Sequence, residues 1–168
     1  MNAVIYHEVD PKIVDSVLQN GLKTENDGAK TDSQIKKIDQ FLDTHLPDDS
    51  PAGLNRQNVI YGYVSADDKI LDIKSSDMIA INDFVDKSDA VLLRIEVDAA
   101  KCYVSDLDMY DTIKRAMELK EQDSTLEDLA TKYWQRVVTF DTFELGTINR
   151  PEVMVPYDIP PTDISKVE

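Results

Sequence analysis

Cysteine is almost absent from this chain: Cys102 stands alone among 168 residues. Without a second thiol no intrachain disulfide forms, which excludes a secreted disulfide scaffold. Histidine is nearly as scarce. His7 and His45 stand far apart, and with one cysteine they do not supply the ligand set of a structural zinc site, so no metal is expected. The five glycines are scattered singly, and neither GxGxxG nor GxxxxGK occurs, so no Gly-rich phosphate loop is present. No apolar stretch approaches the ~20 residues of a transmembrane helix. The opening MNAVIYHEVD lacks the basic start and apolar run of a signal peptide, which makes the cytoplasm the expected compartment. Basic charge is also short: 18 Lys and Arg face 33 Asp and Glu, a formal net charge of −15. No basic stripe is visible, so nucleic acid is disfavoured as a partner.

Hydrophobic residues make up 42% of the chain, enough for a packed core. The length fits one domain over residues 1–168, with a helical insertion and loop at 23–58. Residues 3–7 read as a short strand. Asp10 is a natural helix N-cap, and Pro11 suits the first helical position, where its missing N–H costs nothing. Ile13, Val14, Val17 and Leu18 repeat at helical spacing, and Gly21 after Asn20 signals the stop. A turn-rich connection over 23–34 leads to a second amphipathic helix marked by Ile35, Ile38, Phe41, Leu42 and Leu46. Residues 47–58 form a loop and 59–64 a strand, with Gly62 as a bulge or a point of close approach. Ser76 or Asp77 caps a predicted short helix running to Val85. Strands are predicted at 90–97 and 101–105, and helices at 108–120 and 125–137, the latter opened by a capping box from Thr125 to Asp128. Phe140–Phe143 and Glu152–Val155 return to extended structure, and the Pro-rich tail is expected to pack on the surface. Strands and helices mixed in this irregular order indicate an α+β fold.

Few residues remain for chemistry. Cys102 lies in a predicted strand, where an inert core thiol is the ordinary outcome. Tyr6-His7 ends the first strand. Tyr61 and Tyr63 lie two apart on a later strand and share a face. Arg56 precedes that strand, and Glu152 opens a late one after Arg150-Pro151. Glu144, near the turn at Gly146, is a rival carboxylate. Trp134 is expected to anchor the last helix, and His45 to face the C-terminal end of the second.

Tyr6-His7, followed by Pro11, Val14-Asp15-Ser16 and Gly21-Leu22, resembles the start of proteins of the ADP-ribosyltransferase fold, the diphtheria-toxin-like group with a His-Tyr-Glu set. The closing Arg150-Pro-Glu-Val-Met-Val-Pro is similar to the Pro-Glu-Val strand of DNA-modifying bacterial toxins of that superfamily. The resemblance implies split antiparallel or mixed sheets with flanking helices, and NAD bound as substrate in a cleft between two small sheets. It assigns NAD contacts to His7 and to Tyr61 or Tyr63, and transition-state stabilisation to Glu152. It implies mono-ADP-ribosyl transfer to an acceptor, a protein by preference on charge grounds. Arg56 is the candidate to offset the pyrophosphate. The sequence departs from the pattern at Glu8-Val9, which stands where that family has Gly-Thr or Gly-Ser. A bulkier pair there narrows the expected cleft.

Two other readings fit the same residues. One is a protein of this fold that binds without turnover, with Glu8 crowding the cleft. The other is an acidic inhibitor or partner of a basic protein, whose signature is an unbroken acidic face over Asp108, Asp111, Glu118 and Glu121.

Overall fold

The computed structural model of the protein describes residues 1–25 and 32–168. Most of the turn-rich connection expected at 23–34 lies outside the described residues. Strand β1 (Asn2–Val9) comes first. A 3-10 turn (Pro11–Ile13) follows, with the Asp10 carboxylate accepting from the Lys12 amide, and continues into helix α1 (Val14–Asn20). So the predicted Pro-started helix begins in the tighter 3-10 form. Gly21 ends it at φ 82, and the Gly21 amide donates to the Val17 carbonyl. Helix α2 (Ser33–Thr44) opens with the Asp32 carboxylate accepting from the Gln34 and Ile35 amides.

Next come strands β2 (Ile60–Ala66), β3 (Lys69–Asp72) and β4 (Asp77–Ala80), then helix α3 (Ile81–Lys87). Here the expected helix from Asp77 to Val85 is corrected. Its first turn is the strand β4, because β3 provides a four-residue antiparallel partner for it. Strands β5 (Val91–Asp98) and β6 (Tyr103–Asp106) lead to helices α4 (Leu107–Glu118) and α5 (Asp123–Gln135). The expected capping box at Thr125 is also corrected, since α5 begins at Asp123 and Thr125 lies inside it. Two-residue β7 (Val138–Thr139) is followed by a 3-10 turn at Phe140–Thr142, where extended chain was expected. Strands β8 (Pro151–Val155) and β9 (Ile164–Lys166) close the fold.

All described strand pairings are antiparallel, in the order β7-β6-β8-β2-β1-β5-β9, with β3 and β4 branching from β2. The architecture is therefore α+β. The sheets are not separate, because β2 joins them. Its first residues, Ile60 to Gly62, pair with β8; Tyr63 and Val64 then pair with β1, and Ser65 and Ala66 with β3. Each neighbour is held along only part of β2, so the β1–β2 ladder stops at Tyr6 opposite Tyr63.

Strand alternation sorts the core to the two faces of the sheet. Ile5, Val9, Val64, Val153 and Val155 pack on one side with Val14 and Val17 of α1 and with Ile159 of the tail. On the other side, Met154 joins α2, α4 and α5, and Tyr6 joins Phe84 of α3. The tail is tied down as expected: Ile159 and Leu22 exchange backbone hydrogen bonds.

Candidate functional site

A cavity of about 810 Å³ opens where the β1–β2 ladder stops. His7, Tyr61, Tyr63 and Glu152 all line it. They come from three strands, β1, β2 and β8, and from opposite ends of the chain. The remaining wall is largely apolar, with Val17 and Leu22 on the α1 side and Ile73 and Leu107 across the sheet.

Each of these side chains is held by a specific neighbour. His7 sits just past the last β1–β2 pair, and its Nδ1 lies 2.5 Å from the Tyr61 carbonyl oxygen. A carbonyl only accepts, so Nδ1 carries the proton and Nε2 is left for another partner. The Tyr61 hydroxyl donates inward to the Arg56 carbonyl. The Tyr63 hydroxyl donates to the Glu8 carboxylate, which also accepts from the Ser88 hydroxyl. The Tyr63 ring meets Phe84 edge-on at 5.2 Å. Glu8 thus forms part of the cavity wall and is anchored on two sides, a role that sequence reasoning, which treated it only as bulk, missed. Gly62 lies between the two tyrosines because Ile5 approaches its backbone: a Cβ there would stand 2.6 Å from Ile5 Cδ1. The expected close approach is found.

Arg56 stands elsewhere. It is 3% exposed and does not line the cavity. Its Nε donates to Asp39 at 2.8 Å, and one terminal nitrogen donates to Glu152 at 3.1 Å and to the Tyr133 hydroxyl at 2.5 Å. Its guanidinium carbon lies 4.3 Å from the Tyr110 ring centre, 5.0 Å from that of Tyr61 and 5.6 Å from that of Tyr133. The charge expected to meet a pyrophosphate is matched internally instead. Among the described residues, the cavity wall contains three carboxylates, Glu8, Asp10 and Glu152, and one lysine, Lys23.

Glu152, with Tyr61, brings this buried cluster to the cavity; the Glu152 side chain is 18% exposed. Burial pushes its carboxyl above the ordinary carboxylate range, and the Arg56 guanidinium offsets part of that rise. Asp39 is raised for the same reason, with the same offset. Burial drives the Tyr61 phenol well above its usual value. For Tyr63 burial acts first and the bond to Glu8 adds to it. The rival carboxylate Glu144 is exposed and lies off the cavity wall. Asp39 and Tyr133 carry no sequence signal for this site: each reads as an ordinary helix residue, and only the fold brings it to Arg56.

No family model, curated protein or solved structure matches the chain.

Proposed function

We propose that the cavity takes NAD, and that the chain is an ADP-ribosyltransferase-type protein that transfers one ADP-ribosyl group to an acceptor, most suitably a protein. The observation that carries the reading is the convergence of His7, Tyr61, Tyr63 and Glu152 on one cavity. Its volume falls within the range of small-molecule sites, roughly 300–1,000 Å³.

The chemistry is the breaking of the bond between nicotinamide and ribose. The bonding electron pair leaves on the nicotinamide nitrogen, cancelling its positive charge, and the sugar becomes cation-like, as in glycoside hydrolysis. The acceptor then bonds to the ribose carbon and releases its proton. A carboxylate beside the sugar favours the cationic transition state, which is the role of Glu152. His7 Nε2 accepts from a ribose hydroxyl, and a tyrosine ring offers a flat face to nicotinamide. Arg56 has no phosphate role in this reading; among the described residues, Lys23 is the lysine on the cavity wall.

Calorimetric titration with NAD tests the proposal. The native protein should give heat and a thermal shift, and His7→Ala should weaken both. No heat and no shift at saturating NAD would end the reading. Glu152→Gln should keep binding but lose NAD cleavage by about 100-fold or more, followed as nicotinamide release. Full cleavage in that variant would remove Glu152 from the chemistry.

Binding without turnover is the second reading, favoured by one observation: Glu8 follows His7 directly and engages the Tyr63 hydroxyl at the cavity wall. Heat without nicotinamide release in the native protein would select it. The acidic-partner reading has less support, since Asp108 and Asp111 on α4 are both paired with Arg150 and do not present an unbroken acidic face.

A further inference from the structure

We infer that Asp39 and Arg56 are a positioning pair for Glu152, so that helix α2 sets the orientation and charge of the cavity carboxylate from behind the wall. The inference rests on the reading of Glu152 as the working carboxylate. The geometry comes first. Asp39 is 2% exposed on α2 and accepts from Arg56 Nε at 2.8 Å. Glu152 is gripped by a terminal nitrogen of the same guanidinium. The planar fork of arginine fixes the angle between its two partners, which a lysine ammonium cannot do. The loop that carries Arg56 is itself held by α2: the Asp43 carboxylate accepts from the backbone amides of Arg56 and Gln57. The face of α2 that carries Asp39, together with the carboxylate of Asp43, thus determines where Arg56 points, and Arg56 determines where Glu152 points.

Charge gives the pair a second consequence. One buried cation faces two carboxylates at close range, so Asp39 and Glu152 compete for it, and ionising either makes ionising the other harder. Asp43, on the same helix, raises Asp39 in turn, and four tyrosines also act on Glu152: Tyr61 and Tyr63 of β2, Tyr110 of α4 and Tyr133 of α5. All four are pushed above the usual phenol value by burial, so they stay neutral across the range where the carboxylates titrate.

Side-chain carboxyl NMR of the ligand-free protein, followed against pH and assigned with Glu152→Gln, tests the pair without requiring NAD. In the native protein the Glu152 signal should titrate in two steps, the second coinciding with Asp39. Asp39→Asn should make it a single step and lower its midpoint, because a competing negative charge is gone. Arg56→Gln should move the midpoint upward. A one-step native titration, or a Glu152 midpoint unmoved in folded Asp39→Asn, would overturn the inference. If Asp39→Asn does not fold, the native titration alone decides. Where NAD is cleaved, the acid limb of the pH profile should follow the NMR midpoint in Asp39→Asn. NAD turnover without the two-step titration would sink the pair and leave the NAD reading standing. The two-step titration without NAD binding would do the reverse.

Discussion

At the scale of single residues, two glycines and the lone cysteine have sharp consequences. Gly21 combines φ 82 with a contact in which a Cβ would stand 2.2 Å from the Ile159 carbonyl oxygen. That oxygen accepts the Leu22 amide, so it is not free to move away. Gly21→Ala should therefore destabilise by about 2 kcal/mol or more, read as a lower urea midpoint. Gly62→Ala meets the buried Ile5 side chain and should cost about 1–3 kcal/mol while also disturbing the tyrosines on either side. Burial pushes the Cys102 thiol up to about 11. Its alkylation near neutral pH should run about 100-fold slower in the native protein than in denatured chain, measured by thiol-reagent kinetics.

At the scale of elements, α2 is the piece whose importance exceeds its sequence signal. Its stripe of Ile38 and Leu42 packs into the core with α4 and α5, as helical spacing suggests. Trp134 of α5 donates its indole N–H to the Leu42 carbonyl at 2.8 Å, which fastens the two helices and explains the anchoring expected of this residue. His45 also behaves as expected, with Nδ1 2.9 Å from the Phe41 carbonyl at the helix end. The Asp32 cap is exposed and does not line the cavity, so Asp32→Ala should cost about 1 kcal/mol of stability, seen in denaturant unfolding. Among the strands that sequence reasoning missed, β3 and β4 are four residues each, and β3 is half polar. Their state depends on each other's hydrogen bonds rather than on local preference.

At the scale of the whole molecule, pH acts through buried groups. Five of the seven tyrosines, Tyr61, Tyr63, Tyr110, Tyr133 and Tyr157, are raised by burial, Tyr157 to about 12. Their unfolded value is about 10. A raised folded value means that the native state keeps the proton longer, so this stability is fully present below pH ~10 and is lost as pH rises through the folded values. The protein should unfold cooperatively in alkali, with most tyrosinate absorbance appearing at unfolding. Asp39 and Glu152 follow the same sign in acid, since both are raised: their contribution weakens as pH rises from the ordinary carboxylate range. The net charge of −15 adds self-repulsion at neutral pH. Stability should therefore rise on moderate acidification or added salt, read as melting temperature. No described helix is long and apolar enough to cross a membrane.

The sequence by itself determined what local rules govern. Periodicity, the Asp10-Pro11 start and the Asn20-Gly21 stop located the first strand and helix. Tyr61 and Tyr63 were placed on one face by a spacing of two. His7 and Glu152 stood out through the resemblance carried by Tyr6-His7 and by Arg150-Pro151-Glu152. Only the tertiary structure decided which of them meet. The β1–β2 ladder ends at Tyr63 because β2 changes partners along its length, and pairing register is a long-range property with no local signature. For the same reason Arg56 read as a surface cation free to meet phosphate. Asp39, Tyr133 and Glu152 reach it from three separate parts of the chain, and that convergence turned it into the buried support behind the cavity carboxylate.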